Sequence, residues 1–394
     1  MRTVLFAWEL GGGFGHIGNI RRYAKRLAAH GLRMVAAVRN PELAQPLPNL
    51  GIEILKAPPW PEASFTRKQR AAMSSATLGD SLASAGLADA DALKRILEDW
   101  KRIYGSVDPN LVVADYAPAA ALAARRRIPL MMVGNGYTLP PSEMTHFPLL
   151  HRKAEIVFEE MRIVTIVNKV ARPLGIEAIE RLPQLFSADG RVVETFSLLD
   201  PYDLQRSSPA DGPSFDSMPI AKRENANDIL VYLAPGYTIR RDIISALLPV
   251  AGRVRIFAPH LSLIQHARLK ISGARVHRAP LDLSEAVASA CLVVHFGGSG
   301  LAAHALAAGV PQLVVASHIE QELNGFAVER AKLGRLVKGY EAETAIAGEV
   351  ISELLENSEL AKHAAQSGEA HRDMLRHSDA LAAFETKSLK LLRL

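Results

Sequence analysis

Along this chain short apolar runs alternate with stretches of helical periodicity, and the alternation occurs twice, on either side of a segment that has neither pattern. In the first half Thr3–Trp8, Leu32–Val38, Gly51–Lys56, Leu111–Ala114 and Pro129–Val133 read as strands. Asn19–His30 reads as a helix with Ile20, Tyr23, Ala24 and Leu27 on one face, stopped by Gly31. Residues 64–104 read as mostly helical, with a Ser/Ala/Gly-rich break near Ser74–Gly86, and Ala117–Arg127 as a further helix. Apolar strands separated by helices pair in parallel, with helices on both faces of the sheet. From Pro201 to Asp228 turn formers dominate, as in Ser207-Ser-Pro-Ala-Asp-Gly-Pro213. The alternation then restarts, with strands at Ile229–Leu233, Arg253–Ala258, Leu292–His295 and Gln312–Ala316. Helices are expected between them at Asp242–Leu248, Ser284–Ala288, Gly300–Ala308 and 319–333. The pattern predicts an α/β protein of two Rossmann-like domains, 1–200 and 229–378, with a linker over 201–228; from Glu343 the chain reads as helical to the end, with 379–394 as a tail.

At 394 residues the chain is long enough for two cores. Its 46 Lys and Arg against 41 Asp and Glu leave a net charge of +5. Arg125-Arg-Arg127 and Lys68-Gln-Arg70 are too short to track a phosphate backbone, which argues against nucleic acid as a partner. A weak attraction to an anionic membrane surface stays open. The single cysteine, Cys291, excludes an intrachain disulfide and a cysteine-built zinc cage, and its apolar surroundings predict buried packing. The start Met1-Arg-Thr-Val-Leu-Phe lacks the apolar length of a signal peptide, and no apolar run approaches the ~18 residues of a membrane span. The expected location is the cytoplasm.

Two glycine-rich loops carry the chemistry. The first, Trp8-Glu-Leu-Gly-Gly-Gly-Phe-Gly-His-Ile-Gly-Asn19, joins the first strand to its helix. Gly13, Gly15 and Gly18 satisfy the G-x-G-x-x-G spacing of dinucleotide-binding turns, yet a phosphate cradle has no need of His16. On these residues alone the loop fits either a cofactor turn or the carrier of a catalytic base. The second is Leu292-Val-Val-His-Phe-Gly-Gly-Ser-Gly-Leu-Ala-Ala-His304, where a buried strand ends in His295. Gly297, Gly298 and Gly300 allow a tight turn into a helix from Leu301, whose unpaired amides and dipole favour a phosphate. Ser299 offers a hydroxyl and His295 an imidazole N–H to the same anion. At the next strand end, Ala316-Ser-His-Ile-Glu-Gln-Glu-Leu-Asn324 sets Glu320 beside Gln321, a carboxylate and an amide suited to sugar hydroxyls.

The run from His295 to Ala305-Leu-Ala-Ala-Gly-Val-Pro311, followed by Ala316 to Asn324, resembles the donor-binding signature of the UDP-glycosyltransferase superfamily. That signature reads H-x-G-x-x-[ST]-x-x-E-A-L-x-x-G-V-P and then P-x-x-x-D-Q-x-x-N. The Gly-Gly-Gly-Phe-Gly-His16 loop resembles the family's N-terminal glycine-histidine loop, and Asp115 in Val112-Val-Ala-Asp-Tyr116 matches an aspartate that ends a strand there. The resemblance implies the GT-B fold, two Rossmann-like parallel-sheet domains facing a central cleft. It implies an inverting, metal-independent hexosyl transfer from a nucleoside-diphosphate sugar, which is a co-substrate rather than a cofactor. His16 would be the general base and Asp115 the carboxylate that orients it, while Gly297 to Leu301 with His295 would stabilise the departing diphosphate. Gly13, Gly15, His304, Glu320 and Gln321 complete the implied donor set, with Gly236, Tyr237 and Thr238 added by position after the first strand of the second domain. The tail over 379–394 would return to the first domain.

The chain departs from the family at several places. His304 stands where the family glutamate contacts the ribose, Leu301 where a Ser or Thr precedes the helix, and Glu320 where the family has Asp. Arg278-Ala-Pro-Leu281 replaces the W-x-P-Q that frames a uracil, so the base stays open among uracil, thymine and guanine. Three rival readings stand beside the transferase. An NADP-dependent oxidoreductase would use the first loop, but Val38-Arg39-Asn40 stands where a ribose-binding acid belongs. A sugar-nucleotide epimerase-hydrolase would need paired acids, for which Glu9 and Glu320 are the candidates. A donor-binding protein without turnover would follow from the lost glutamate. The acceptor, a lipid, polyketide or other small molecule, is expected against residues 60–105 and 137–165, with Pro58-Pro-Trp-Pro61, Tyr137 and Met144–Phe147 as its apolar surface.

Overall fold

A computed structural model of the 394-residue chain describes residues 1–12, 14–61, 75–151, 154–233, 241–259 and 261–338, and 347–394. It divides into two compact units, one of residues 1–194, 200–211 and 379–394 and the other of 195–199 and 212–378.

The first unit holds β1 (Thr3–Trp8), α1 (Gly15–Leu27), β2 (Arg33–Val38), β3 (Glu53–Lys56), α2 (Leu78–Leu82), α3 (Ala90–Val107), β4 (Leu111–Asp115), α4 (Pro118–Ala124), β5 (Leu130–Gly134), α5 (Glu160–Ala171) and β6 (Gly190–Val193). Its six strands form one sheet in the order β3-β2-β1-β4-β5-β6, every pair parallel. All six residues of β1 and all five of β4 are buried, as central strands covered on both faces must be. Helix α1 packs Ile17, Ile20, Tyr23, Ala24 and Leu27 onto the sheet and turns Lys25 and Arg26 toward its own negative end. Gly31, at φ +61°, gives the left-handed turn that returns the chain to β2.

The second unit holds β7 (Asp228–Tyr232), α6 (Arg241–Leu247), β8 (Val254–Phe257), α7 (Leu263–Ile271), β9 (Arg275–His277), α8 (Leu283–Ala288), β10 (Ala290–His295), α9 (Ser299–Ala308), β11 (Gln312–Ala316), α10 (Ile319–Arg330), β12 (Gly334–Lys338), α11 (Ala347–Glu356) and α12 (Ser358–His377). Its six strands run β12-β11-β10-β7-β8-β9, again all parallel. Helix α9 buries Ala302 through Ala308 and so lies inside the unit rather than on it. The last helix, α13 (Ala380–Leu392), belongs to the first unit, where Phe384 packs on Tyr23 with ring centroids 4.3 Å apart. Burying a phenyl ring in this way contributes on the order of 2–3 kcal/mol.

Counted within each unit, both sheets have the strand order 3-2-1-4-5-6 of a doubly wound fold. Ligands of such sheets bind beyond the carboxyl ends of strands 1 and 4, where the winding reverses and the flanking loops part. That rule selects the ends of β1 and β4 in the first unit and of β7 and β10 in the second. Among the described residues no helix is long and apolar enough to cross a membrane.

Candidate functional sites at the two switch points

In the first unit Trp8 and Asp115 are register partners at the ends of β1 and β4. His16 stands in the first turn of α1, half-buried, with Nδ1 3.0 Å from Asp115 Oδ2. Its ring stacks on Trp8 at 5.1 Å and 22°. One turn on, Asn19 donates through Nδ2 to the same Asp115 oxygen at 3.2 Å, and Arg22 Nη2 donates to Asn19 Oδ1 at 2.5 Å. A buried carboxylate beside Nδ1 favours the tautomer with its proton on that nitrogen and the basic lone pair on Nε2. Gly11, at φ +80°, closes the loop over the ring: a Cβ there would lie 2.5 Å from Nε2. The turn after β4 is strained too, since Tyr116 takes φ +44° and is held by Leu10, whose N–H donates to its carbonyl at 3.1 Å. A left-handed non-glycine residue costs about 1–3 kcal/mol and collects at functional loops. Gly15 opens α1, with open space where its Cβ would be. Gly13 lies outside the described residues.

The rival chemistries lose their residues here. Glu9 is buried, accepting N–H bonds from Ala119 at 2.9 Å and Ala120 at 3.1 Å at the start of α4, and another from the Trp100 indole. Burial pushes its carboxyl up to about 7 against the pull of these donors and of Trp60. It caps a helix and is not a free acid poised for an anomeric centre. Arg39, the one candidate for a nicotinamide 2′-phosphate, donates to the Glu9 carbonyl at 3.4 Å, and Asn40 caps the turn at Glu42.

In the second unit His295 and Tyr232 are register partners at the ends of β10 and β7. Helix α9 begins at Ser299 with Gly298 as its N-cap and no side chain capping it. Gly298 and Gly300 have open space around the position of a Cβ. An N-terminus with no capping side chain, set at a switch point, presents amide N–H groups and the positive end of a helix dipole, an anion site by construction. Gly297 serves packing instead: at φ +83° its Cβ would lie 2.7 Å from the Gln321 carbonyl, so only glycine lets α10 approach the loop. Asn324 pins that loop, donating from Nδ2 to the Gly297 carbonyl at 2.7 Å and to Ser299 Oγ at 3.0 Å. Ser299 in turn donates to Glu320 Oε1 at 3.4 Å.

Three expected donor contacts are corrected, at His295, Gln321 and His304. His295 is 1% exposed and both ring nitrogens are occupied: Gly297 N–H donates to Nδ1 at 3.0 Å, and Nε2–H donates to Gln312 Oε1 at 2.9 Å. Burial lowers it to about 4, so it is neutral and stitches β10 to β11 rather than facing a phosphate. Gln321 is buried, and its Oε1 accepts from the backbone and hydroxyl of Ser317, both at 2.9 Å. His304 also points inward, with Nε2 3.3 Å from Ser284 Oγ and its ring against Phe215 at 4.4 Å. Leu301 is half-buried against the apolar cluster under α9. Cys291, expected to be buried, is half-exposed, with Sγ against the Asp228 carbonyl and Arg253. Gly236, Tyr237 and Thr238 lie outside the described residues, as does 62–74 of the expected acceptor surface. Trp8, Asn19 and Gln312 are given no role by the sequence, and Asn324 appears there only as the close of the signature run. Asn19 carries a readable signal, three residues after His16 and so on the same face of a helix.

Two doubly wound units of six parallel strands define the class: a GT-B protein, the fold of nucleotide-sugar glycosyltransferases. The solved structures it matches bear this out along its whole length. The calicheamicin glycosyltransferase CalG4 superposes with a TM-score of 0.70 over 100% of this chain and 99% of its own, at 17% identity. The spinosyn rhamnosyltransferase SpnG with its spinosyn aglycone gives 0.67 over 98% and 99%, also at 17% identity. Among curated proteins, the PGL/p-HBAD biosynthesis rhamnosyltransferase of Mycobacterium bovis is 25% identical over 313 residues, 71% of this chain and 67% of the relative. No protein-family model matches the chain.

Proposed function

We propose that this protein is an inverting glycosyltransferase that moves a sugar from a nucleoside-diphosphate sugar to an acceptor hydroxyl. The observation that carries the reading is the His16–Asp115 pair at the first switch point, with Nδ1 3.0 Å from the carboxylate. In the proposed step Nε2 takes the hydroxyl proton as the acceptor oxygen bonds to the anomeric carbon. The bond from that carbon to the diphosphate oxygen breaks, and the nucleoside diphosphate leaves with the electron pair. Asp115 stabilises the imidazolium that forms, as the orienting carboxylate of a catalytic triad does. The negative charge that develops on the diphosphate is assigned to the amides at the start of α9, with the Ser299 hydroxyl beside them, and no metal is written into the step.

The named relatives narrow the donor. A rhamnosyltransferase is among the curated relatives, and SpnG is also known complexed with thymidine diphosphate. The proposed donor is therefore a deoxythymidine diphosphate sugar of the deoxyhexose type, which also suits a chain without the uracil-framing W-x-P-Q. The test is turnover: release of thymidine diphosphate from such a donor in the presence of phenolic and polyketide acceptors, for the native protein and for His16→Ala. Loss of transfer with nucleotide binding retained supports His16 as base. Tight nucleotide binding with no transfer from any acceptor favours instead a donor-binding protein without turnover, the reading to which the inward-turned His304 lends weight.

A further inference from the structure

Helix α7 (Leu263–Ile271) is anchored to its unit by little. Leu269 is its one buried residue, and a nine-residue helix is marginal in water without a packed face. Its start is secured locally: Ser262 Oγ accepts from Gln265 N–H at 3.2 Å and Gln265 Oε1 accepts from Ser262 N–H at 3.0 Å. The opposite face is apolar and bare. Leu263 is 84% exposed, Ile264 73% and Ile271 87%. At 100° per residue these three and exposed Ala267 fall within about 100° of arc, one continuous stripe. Arg268 flanks the stripe on one side and Lys270 on the other.

The charge around this helix is one-sided. Residues 243–281 hold Arg253, Arg255, Arg268, Lys270, Arg275 and Arg278 and not one Asp or Glu. The rest of the chain carries 41 acids against 40 bases, so the excess of the whole molecule sits in this segment. Arg275 is partnered by Asp228 from outside it, and Arg253 holds the Asn227 carbonyl. Arg268, Lys270 and Arg278 are exposed and make no ion pair among the described residues.

From this pairing of an apolar stripe with unneutralised cations we infer that α7 is a peripheral membrane-docking face for anionic lipid. Leu263, Ile264 and Ile271 enter the boundary between headgroups and acyl chains, while Arg268, Lys270 and Arg278 lie among the anionic headgroups. A protein partner would need its own acids to match the cations and its own apolar groove to match the stripe. A lipid surface supplies both at once, so the charge complementarity selects it. Docking would hold the second unit at the surface where amphipathic acceptors collect, but the inference does not depend on the transfer reaction.

The test is co-sedimentation of the full chain with phosphatidylcholine vesicles, with and without phosphatidylglycerol. The protein is expected to pellet with the anionic vesicles and to stay in solution with the neutral ones. Salt that cuts the Debye length from about 10 Å to about 3 Å should release it. Leu263→Glu with Ile264→Glu, and separately Arg268→Glu with Lys270→Glu, should each weaken binding by on the order of tenfold or more. Both pairs are exposed, and an unchanged unfolding temperature confirms that they remain folded. Equal binding to both vesicle types, or variants that pellet like the native protein, overturns the inference. So does a concentration-dependent dimer that the Leu263→Glu, Ile264→Glu variant abolishes, since a second copy would then cover the stripe.

Discussion

His295→Ala separates a histidine that binds donor from one that holds the fold. The substitution removes the acceptor of the Gly297 N–H and the donor to Gln312 Oε1 in a strand end that is 1% exposed. Each buried polar group left without a partner costs about 1–3 kcal/mol, so the two together cost about 2–6 kcal/mol, before any cavity is counted. In a unit of this size that lowers the unfolding temperature by roughly 5–20 °C. The assay is thermal unfolding of native and variant protein, each with and without a nucleoside diphosphate, repeated at pH 5 and pH 7. Nucleotide binding should weaken only as far as the Gly297 loop loosens and should not change between those pH values through His295, because the folded ring stays neutral down to about 4. The native protein alone should lose stability at pH 5, where the unfolded chain's His295 takes a proton. A variant that melts like the native protein yet binds nucleoside diphosphate a hundredfold more weakly would refute the argument. The imidazole would then be a ligand group after all.

Neighbouring glycines should divide in the same way. Gly298→Val and Gly300→Val have room to fold and should abolish nucleotide binding at nearly native stability, whereas Gly297→Ala should destabilise the unit because its Cβ meets the Gln321 carbonyl. Thermal shift with thymidine diphosphate distinguishes the two outcomes. Asp115→Asn should lower kcat by about 10²–10⁴-fold with little change in donor affinity, and Asn19→Ala by less. Glu9 is raised from 4.5 to about 7, so folding takes up a proton between those values and stability falls by about 3 kcal/mol as pH rises through the window. Urea unfolding of Glu9→Gln at pH 5 and 8 should lack that slope. His295 acts in the opposite sense: its contribution is present above 6.5 and is lost as pH falls toward about 4.

The sequence alone determined the class of fold, because that depends on local periodicity and on where glycine must stand. Continuous apolar runs as short as Thr3–Trp8 and Leu292–His295, each followed by a glycine-rich turn, read as strands buried on both faces, and the helices between them favour parallel pairing. What it passed over were β6, β9 and β12 and helices α5 and α7. β6 and β9 are runs of four and three residues, and α7 buries only Leu269, so neither period had length or contrast to show itself. At the first site the family resemblance implied the pairing of His16 with Asp115, and the fold supplies its physical reason, since the strand end and the loop flank one switch point. At the second, residue types pointed to a polar, phosphate-friendly cluster but not to which of its members face a ligand. That depends on side-chain direction across strands and helices far apart in the chain. Gln312 on β11 draws His295 inward, Ser317 takes the Gln321 amide oxygen, Ser284 meets His304, and Asn324 holds the loop open at Gly298 and Gly300. Only tertiary packing decides such contests, because each polar group bonds to whichever partner the fold brings within about 3 Å, and burial penalises any left over.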